Sequence, residues 1–217
     1  MEQSKTLAHE VVQRLSLYLN YLKTLPENGP ANITAEKLGE AVDVAGCQVV
    51  SDLQNVGAEN HPKIGYITEY LLADIERTLG YDNVDRAILV GVGHLGKAIL
   101  SYPGFANYGL HILAAFDTDP AVIGTQVNNI PVHDVAEMAA VCGDLGVHIG
   151  IITAPAKFAQ SIADQMVDCD IRGIWNFAPT HLKVPDTVLV ENENIADSLV
   201  ILSQRLADQI VTKELEQ

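Results

Sequence analysis

Three glycines and one aspartate carry the clearest chemistry in this chain. In Ala87-Ile88-Leu89-Val90-Gly91-Val92-Gly93-His94-Leu95-Gly96 the glycines stand as Gly-x-Gly-x-x-Gly, after an apolar run and before a run of helical character. In that context Gly91 suits a tight turn, Gly93 lets a pyrophosphate approach the backbone, and Gly96 lets a helix pack closely on a strand. Val92, His94 and Leu95 complete the loop, whose N–H groups at a helix amino end favour phosphate. Asp117 lies 21 residues beyond Gly96, close to the spacing at which a carboxylate accepts hydrogen bonds from the adenosine ribose. No arginine accompanies Thr118 and Asp119 to pair an extra phosphate, so the set reads as a site for NAD(H) rather than NADP(H); the alternative is that Asp117 caps a turn with Asp119-Pro120 and the glycines serve only packing.

Two further loops stand at the carboxyl ends of expected strands, where ligands of open parallel sheets lie. Thr153, Ala154 and Pro155 form one, Asn176 and Phe177 the other, and both are expected to border the nicotinamide half of a dinucleotide. The alternative is that Pro155 and Pro179 only end strands. Hydride transfer needs an acid or base beside the nicotinamide, yet the histidines are scattered and no His, Lys or Tyr set has catalytic spacing. No catalytic residue and no metal cluster is expected, and the site reads as one for sensing.

The elements that would hold these residues fall into two patterns. Residues 7 to 25 repeat apolar positions at spacings of three and four and end at Pro26, as one amphipathic helix would. A second helix is expected after the Thr34 cap and a third over 46 to 55, with "GAENHPKIGYI" as a hairpin or wing. Three helices and a ribbon predict a winged-helix domain over 1 to 80, with a helical docking module as the alternative. From Arg86, five apolar runs alternate with helical or polar segments, the rhythm of parallel strands and crossover helices. A Rossmann domain is therefore expected over 81 to 192. Over 193 to 217 a helix carries Ile195, Leu199, Val200, Leu202, Leu206, Ile210 and Val211 as an apolar stripe that must bury itself on its own domain or on a second subunit. The fold class is thus α/β.

The chain has 217 residues, 13 basic against 28 acidic, for a formal charge of -15, which disfavours wrapping nucleic acid nonspecifically. No run of about 18 apolar residues predicts a membrane span, and the start "MEQSKTLAHE" lacks an export pattern, so the expectation is a cytoplasmic protein. Cys47, Cys142 and Cys169 have no CxxC spacing and are expected to be buried free thiols. Cys47 adjoins the third helix, and a structural role is expected for it rather than a response to oxidants.

Across nearly its full length the sequence resembles the Rex family of bacterial redox-sensing transcriptional repressors. The resemblance rests on "RLSLYLNYLKTL", "ITAEKLGEAVDV", "GYITEYLL", "ILVGVGHLGKAIL", "GLHILAAFDTDP", "GIWNFAPTHLKVPDTVLVEN" and the terminal helix. It implies a winged-helix domain on operator DNA, an NAD(H)-binding Rossmann domain, and a homodimer whose C-terminal helices are swapped between subunits, with NADH releasing the DNA. It also implies that Tyr66 couples cofactor state to domain orientation; the residue alone reads equally well as a packed hinge.

The expected recognition helix departs from that family. Val50 and Ser51 occupy the places of a basic pair, and no Lys or Arg occurs from Cys47 to Asn60, while Asp52 and Glu59 add negative charge. Gln48, Ser51, Gln54 and Asn55 remain to read bases, with Lys63 for a phosphate, and residues 1 to 80 carry a formal charge of -5. Because phosphate affinity comes mostly from Lys and Arg, two readings stay open beside a third, a small NAD(H)-dependent oxidoreductase, for which no catalytic set is found. One is a regulator sensing the NADH/NAD+ ratio on DNA; the other is an NAD(H)-binding paralogue that acts through a protein partner.

Overall fold

The computed structural model describes residues 7–26, 29–81, 85–194 and 196–215. The chain divides into two compact units, Met1–Asn83 and Val84–Gln217. In the first, α1 (His9–Thr24) buries Leu15, Tyr18, Leu19 and Leu22, a stripe at the spacing of one helix face. A short strand β1 (Asn32–Ile33) leads to α2 (Ala35–Val42), whose Thr34 cap accepts a hydrogen bond from the Lys37 N–H at 3.3 Å. Asp43, in the left-handed region at φ 58°, ends α2 and a three-residue turn opens α3 (Gly46–Asn55). A Cβ on Gly39 would fall 2.2 Å from the Val44 carbonyl oxygen, so the tight α2–α3 turn explains the glycine within α2.

A β-bridge between His61 and Gly65 then closes a small hairpin with Lys63 at φ 74°, and β2 (Tyr66–Ile67) pairs antiparallel with β1. This is the expected wing. The expectation of three helices is corrected by a fourth, α4 (Thr68–Thr78), which buries Leu71 and Ile75. It follows β2 with no Gly or Pro between them, so its one start signal, Thr68 followed by the acidic Glu69, lies directly against the strand.

The second unit alternates β3 (Asp85–Val90), α5 (His94–Leu100), β4 (Leu110–Asp117), β5 (Gln126–Val127), β6 (Ile130–Asp134), α6 (Met138–Leu145), β7 (Ile149–Ile152), α7 (Ala156–Asp168), β8 (Gly173–Asn176) and β9 (Leu189–Asn192). The sheet order is β5-β6-β4-β3-β7-β8-β9, parallel throughout except for β5 against β6. Ile88 and Val90 face a core built with Met138, Ile162 and Met166, while Ala87 and Leu89 face Ile99 and Leu100 on the other side, the alternation a strand imposes. The β5–β6 hairpin was not expected. Its two-residue loop, Asn128 and Asn129 at φ 51° and 65°, has the type I′ character that asparagine tolerates, but Pro131 breaks up the short apolar run.

Chain order reverses at β3: β4 and β6 lie to one side, β7 to β9 to the other. A crevice therefore opens at the carboxyl ends of β3 and its neighbours. The last helix, α8 (Asp197–Leu215), exposes Leu199, Val200, Ile201, Leu202 and Leu206. Ile195 lies outside the described residues, as do the side chains of Ile210 and Val211.

Candidate functional site: a nucleotide cleft and a winged unit

The crevice is a cleft of about 830 Å³ in which Gly91, Val92, Gly93 and His94 meet Asp117 and the Thr153-Ala154-Pro155 loop. Gly91 has φ 105°, and a Cβ there would sit 2.8 Å from the Ala154 nitrogen, so both backbone and space call for glycine. Thr153 fixes this approach by donating from Oγ1 to the Gly91 carbonyl at 2.6 Å. A Cβ on Gly96 would lie 2.0 Å from the Gly91 carbonyl oxygen, whereas one on Gly93 would meet nothing within 4 Å. The first is a packing requirement. The second leaves the loop backbone open to whatever fills the cleft.

Asp117 is tied into the same loop. Its Oδ2 accepts from the Val92 N–H at 2.6 Å, and its Oδ1 accepts from the N–H groups of Thr118 and Asp119 at 2.7 and 2.9 Å. A carboxylate has about four acceptor positions. Three are engaged by the backbone, which orients the side chain and leaves capacity for a hydroxyl donor.

Several expected site residues do not line the cleft. Asn176 is fully buried, its Nδ2 donating to the Ala178 and Thr180 carbonyls and to Asn192 Oδ1, while its Oδ1 accepts from the Ala178 N–H. It shapes the turn after β8 rather than presenting its amide to a ligand. Phe177 packs on Trp175, with ring centroids 4.8 Å apart, against the core on the α5 side of the sheet. Leu95 and Gly96 pack at the α5–sheet contact. Tyr66 belongs to the first unit, where it is 2% exposed in the core and burial raises its phenol pKa; so enclosed a side chain presents almost no surface to a cofactor. Conversely, Lys97, Val122, Val135, Phe158, Ile162 and Gln165 line the cleft and were not foreseen. The one available signal was helical spacing along 156 to 168, which groups Phe158, Ile162 and Gln165.

On the winged unit, α3 exposes Cys47, Ser51, Gln54 and Asn55, and Asn55 Nδ2 donates to the Ser51 carbonyl at 3.1 Å. Lys63 stands exposed at the wing tip. The count of Asp52 as surface negative charge is corrected: it is 1% exposed and accepts from Arg14 Nε and Nη2, Tyr18 Oη and Gln48 Nε2 at 2.6 to 2.9 Å. Burial alone would raise its pKa; the hydrogen bonds from Arg14, Gln48 and Tyr18, with the Arg14 charge, hold it below the ordinary value. Gln48, expected to read bases, is thereby tethered. Lys23 pairs with Glu76 and Arg77 with Asp74, so three of the unit's cations face acidic partners.

Comparison with known proteins gives these observations a frame. Residues 82–180 match a family model described as "CoA binding domain", and residues 6–53 one described as "Putative DNA-binding protein N-terminus". The redox-sensing transcriptional repressor Rex of Clostridium beijerinckii is 38% identical, over 93% of this chain and 96% of the relative. That of Bacteroides fragilis is 33% identical over 94% and 93%. The chain belongs to the Rex family. RSP, a Rex-family repressor, superposes with a TM-score of 0.87 at 33% identity, covering 98% of this chain and all of RSP. RSP solved with β-NAD+ and operator DNA gives 0.88 at 34% identity, covering 98% of both chains.

Membership makes the chain a Rex-like transcriptional regulator rather than an enzyme, with a Rossmann-like unit between a winged unit and a C-terminal helix. Among the described residues no group of three His, Cys, Asp or Glu side chains is placed to hold a metal ion, and no helix is long and apolar enough to cross a membrane. The three cysteines are free, but the expectation of burial is corrected: Cys142 is buried, Cys169 half-buried, and Cys47 exposed in the first turn of α3. Burial pushes the Cys142 thiol up to about 12, with Cys169 beside it adding to the shift, which keeps it protonated and unreactive.

Proposed function

We propose that this Rex-family chain is a homodimeric redox sensor that binds NAD(H) in the second unit's cleft and operator DNA through α3 and the wing. The observation that carries the cofactor reading is the junction of the glycine loop and Asp117, where one carboxylate both orders the loop and keeps an acceptor for the ribose. RSP has been solved with β-NAD+ and operator DNA and, separately, with β-NADH, which supports the NADH/NAD+ ratio as the signal and NADH as the releasing form. The exposed apolar residues of α8 support a dimer, because such a stripe gains stability only when covered. A regulator that reads the nucleotide pool and an operator acts in the cytoplasm.

The second reading, a winged unit addressed to a protein, is favoured by one observation: the exposed face of α3 carries no cation. Asp52 no longer supports it, since its charge is buried and paired. Binding to a library of short duplexes, with the protein apo, with NAD+ and with NADH, decides between the two. Saturable, sequence-selective binding that NADH weakens is the expected result. A dimer that takes up NADH yet binds no duplex at low salt in any state would overturn the DNA reading.

A further inference from the structure

Cys142 and Cys169 stand far apart in sequence and are brought together by the fold. Both α6 and α7 pack on the same face of the sheet, where Met138 and Cys142 of α6 join Ile162 and Met166 of α7 in one core. Helices that return along one face of a parallel sheet end side by side at the amino edge of its strands. Cys142 lies in the last turn of α6, and Cys169 caps α7, its N–H donating to the Gln165 and Met166 carbonyls at 3.2 and 3.1 Å. The two side chains meet there, the Cys142 thiol donating a hydrogen bond to the Cys169 sulfur.

The two sulfurs differ in access. Cys142 is 3% exposed, whereas Cys169 is half-buried at the rim of the core. Burial raises the pKa of both thiols, and the shared hydrogen bond then separates them: it holds the proton on Cys142 and favours the thiolate of Cys169, against the charge of the adjoining Asp168. The thiolate is the attacking form, so Cys169 is the sulfur that meets a reagent from solvent. Cys142, enclosed and protonated, waits behind it. A thiol open to solvent with a second one in contact is the arrangement in which oxidation stops at a disulfide. Neither sulfur is among the described residues that line the nucleotide cleft.

We propose that Cys142 and Cys169 form a dithiol that a hydroperoxide closes into a disulfide, a second redox input separate from the nucleotide cleft. The Cys169 sulfur attacks the O–O bond, taking one oxygen as a sulfenic acid and releasing the other as an alcohol, or as water from hydrogen peroxide. The Cys142 sulfur then attacks the sulfenic sulfur. An S–S bond forms, the S–O bond breaks, and the hydroxyl leaves with the Cys142 proton as water. The two thiols give up two electrons, which the peroxide accepts.

Hydrogen peroxide treatment of the full chain carrying Cys47→Ser, followed by thiol counting in denaturant and peptide mass mapping, tests this. The count falls from two thiols per chain to none and returns with dithiothreitol, and the peptides holding Cys142 and Cys169 from one chain are found linked. Cys142→Ser leaves Cys169 as a sulfenic acid that dimedone traps, whereas Cys169→Ser leaves Cys142 open to alkylation after the same exposure, with melting temperatures confirming that both variants fold. The mapping of the parent chain stands whether or not they do. Two thiols still alkylatable after peroxide, a link that forms only when the oxidation is done in urea, or one that joins two chains through Cys169 would each overturn the inference.

Discussion

Arg14 and Asp52 meet through two parallel contacts, Nε to Oδ2 at 2.6 Å and Nη2 to Oδ1 at 2.8 Å, and so join α1 to the middle of α3. Tyr18 and Gln48 complete the shell around the carboxylate. Removing one partner of an enclosed pair leaves the other without compensation, so Asp52→Ala is expected to cost about 2–4 kcal/mol in the winged unit, read as a lowered melting temperature. The depressed folded pKa of Asp52 sets the sign with pH. Its contribution is full above the unfolded carboxyl value of about 3.9 and is lost as pH falls through the folded value. Wild-type stability should therefore drop more steeply than that of Asp52→Asn below about pH 4, and parallel acid profiles would refute this.

The glycines of the loop separate folding from binding. Gly91→Ala and Gly96→Ala place a Cβ 2.8 Å and 2.0 Å from backbone atoms, so both should lower the melting temperature as well as NADH affinity. Gly93→Val places its side chain where nothing lies within 4 Å of the Cβ. It should melt near the wild type yet lose NADH binding, and a Gly93→Val protein that binds NADH normally would show that the pyrophosphate passes elsewhere.

Asp117→Ala removes both the ribose acceptor and the acceptor for the Val92 N–H. A hydrogen bond to a charged group is worth about 1.5–3 kcal/mol, so NADH affinity should fall roughly 10- to 100-fold, with NADPH no better bound. Asp117→Asn should not rescue it, because each carboxylate oxygen already faces a backbone donor and an NH₂ in either place opposes N–H to N–H.

The cleft was legible in part because its constraints are local. Gly91, Gly93 and Gly96 act on the few residues around them, and Asp117 follows at a distance fixed by one crossover. Carboxyl-end position does not say which way the side chains of Asn176 and Phe177 turn; Asn176 closes on Asn192 of the adjoining strand β9, a contact set by pairing that composition does not reveal. Asp52 misled for a related reason. An acidic residue on a polar helix reads as exposed until Arg14, 38 residues away in sequence, is brought against it. Phe158 was missed because its neighbours in sequence give an ordinary amphipathic helix, and only the fold shows that the ring lies outside the core.

The stripe on α8 predicts its own test. Leu202 and Leu206 are 62% and 54% exposed, and burying a leucine contributes about 1.5–3 kcal/mol. Leu202→Asp with Leu206→Asp should shift the protein from dimer to monomer in sedimentation, while the cleft, whose described lining includes neither leucine, still takes up NADH. An intact dimer would mean that α8 is covered by its own chain.

The neutral face of α3 makes a quantitative claim about DNA. Affinity for a duplex falls with salt at a slope of about 0.9 for each phosphate neutralised, and among the described residues of the winged unit Arg14, Lys23 and Arg77 are engaged by Asp52, Glu76 and Asp74, which leaves Lys63 on the wing and Lys37 on α2 as exposed cations outside these ion pairs. Binding should therefore show a shallow salt dependence and rest on Ser51, Gln54 and Asn55. Ser51 is exposed on α3, so Ser51→Lys adds a phosphate contact without disturbing the core. In a dimer it should steepen the log–log slope by about 1.8, one contact per subunit, and raise affinity most at low salt for every sequence tested. A slope unchanged by Ser51→Lys would place that face of α3 away from the duplex, and the protein-partner reading would then explain why the helix carries no positive charge.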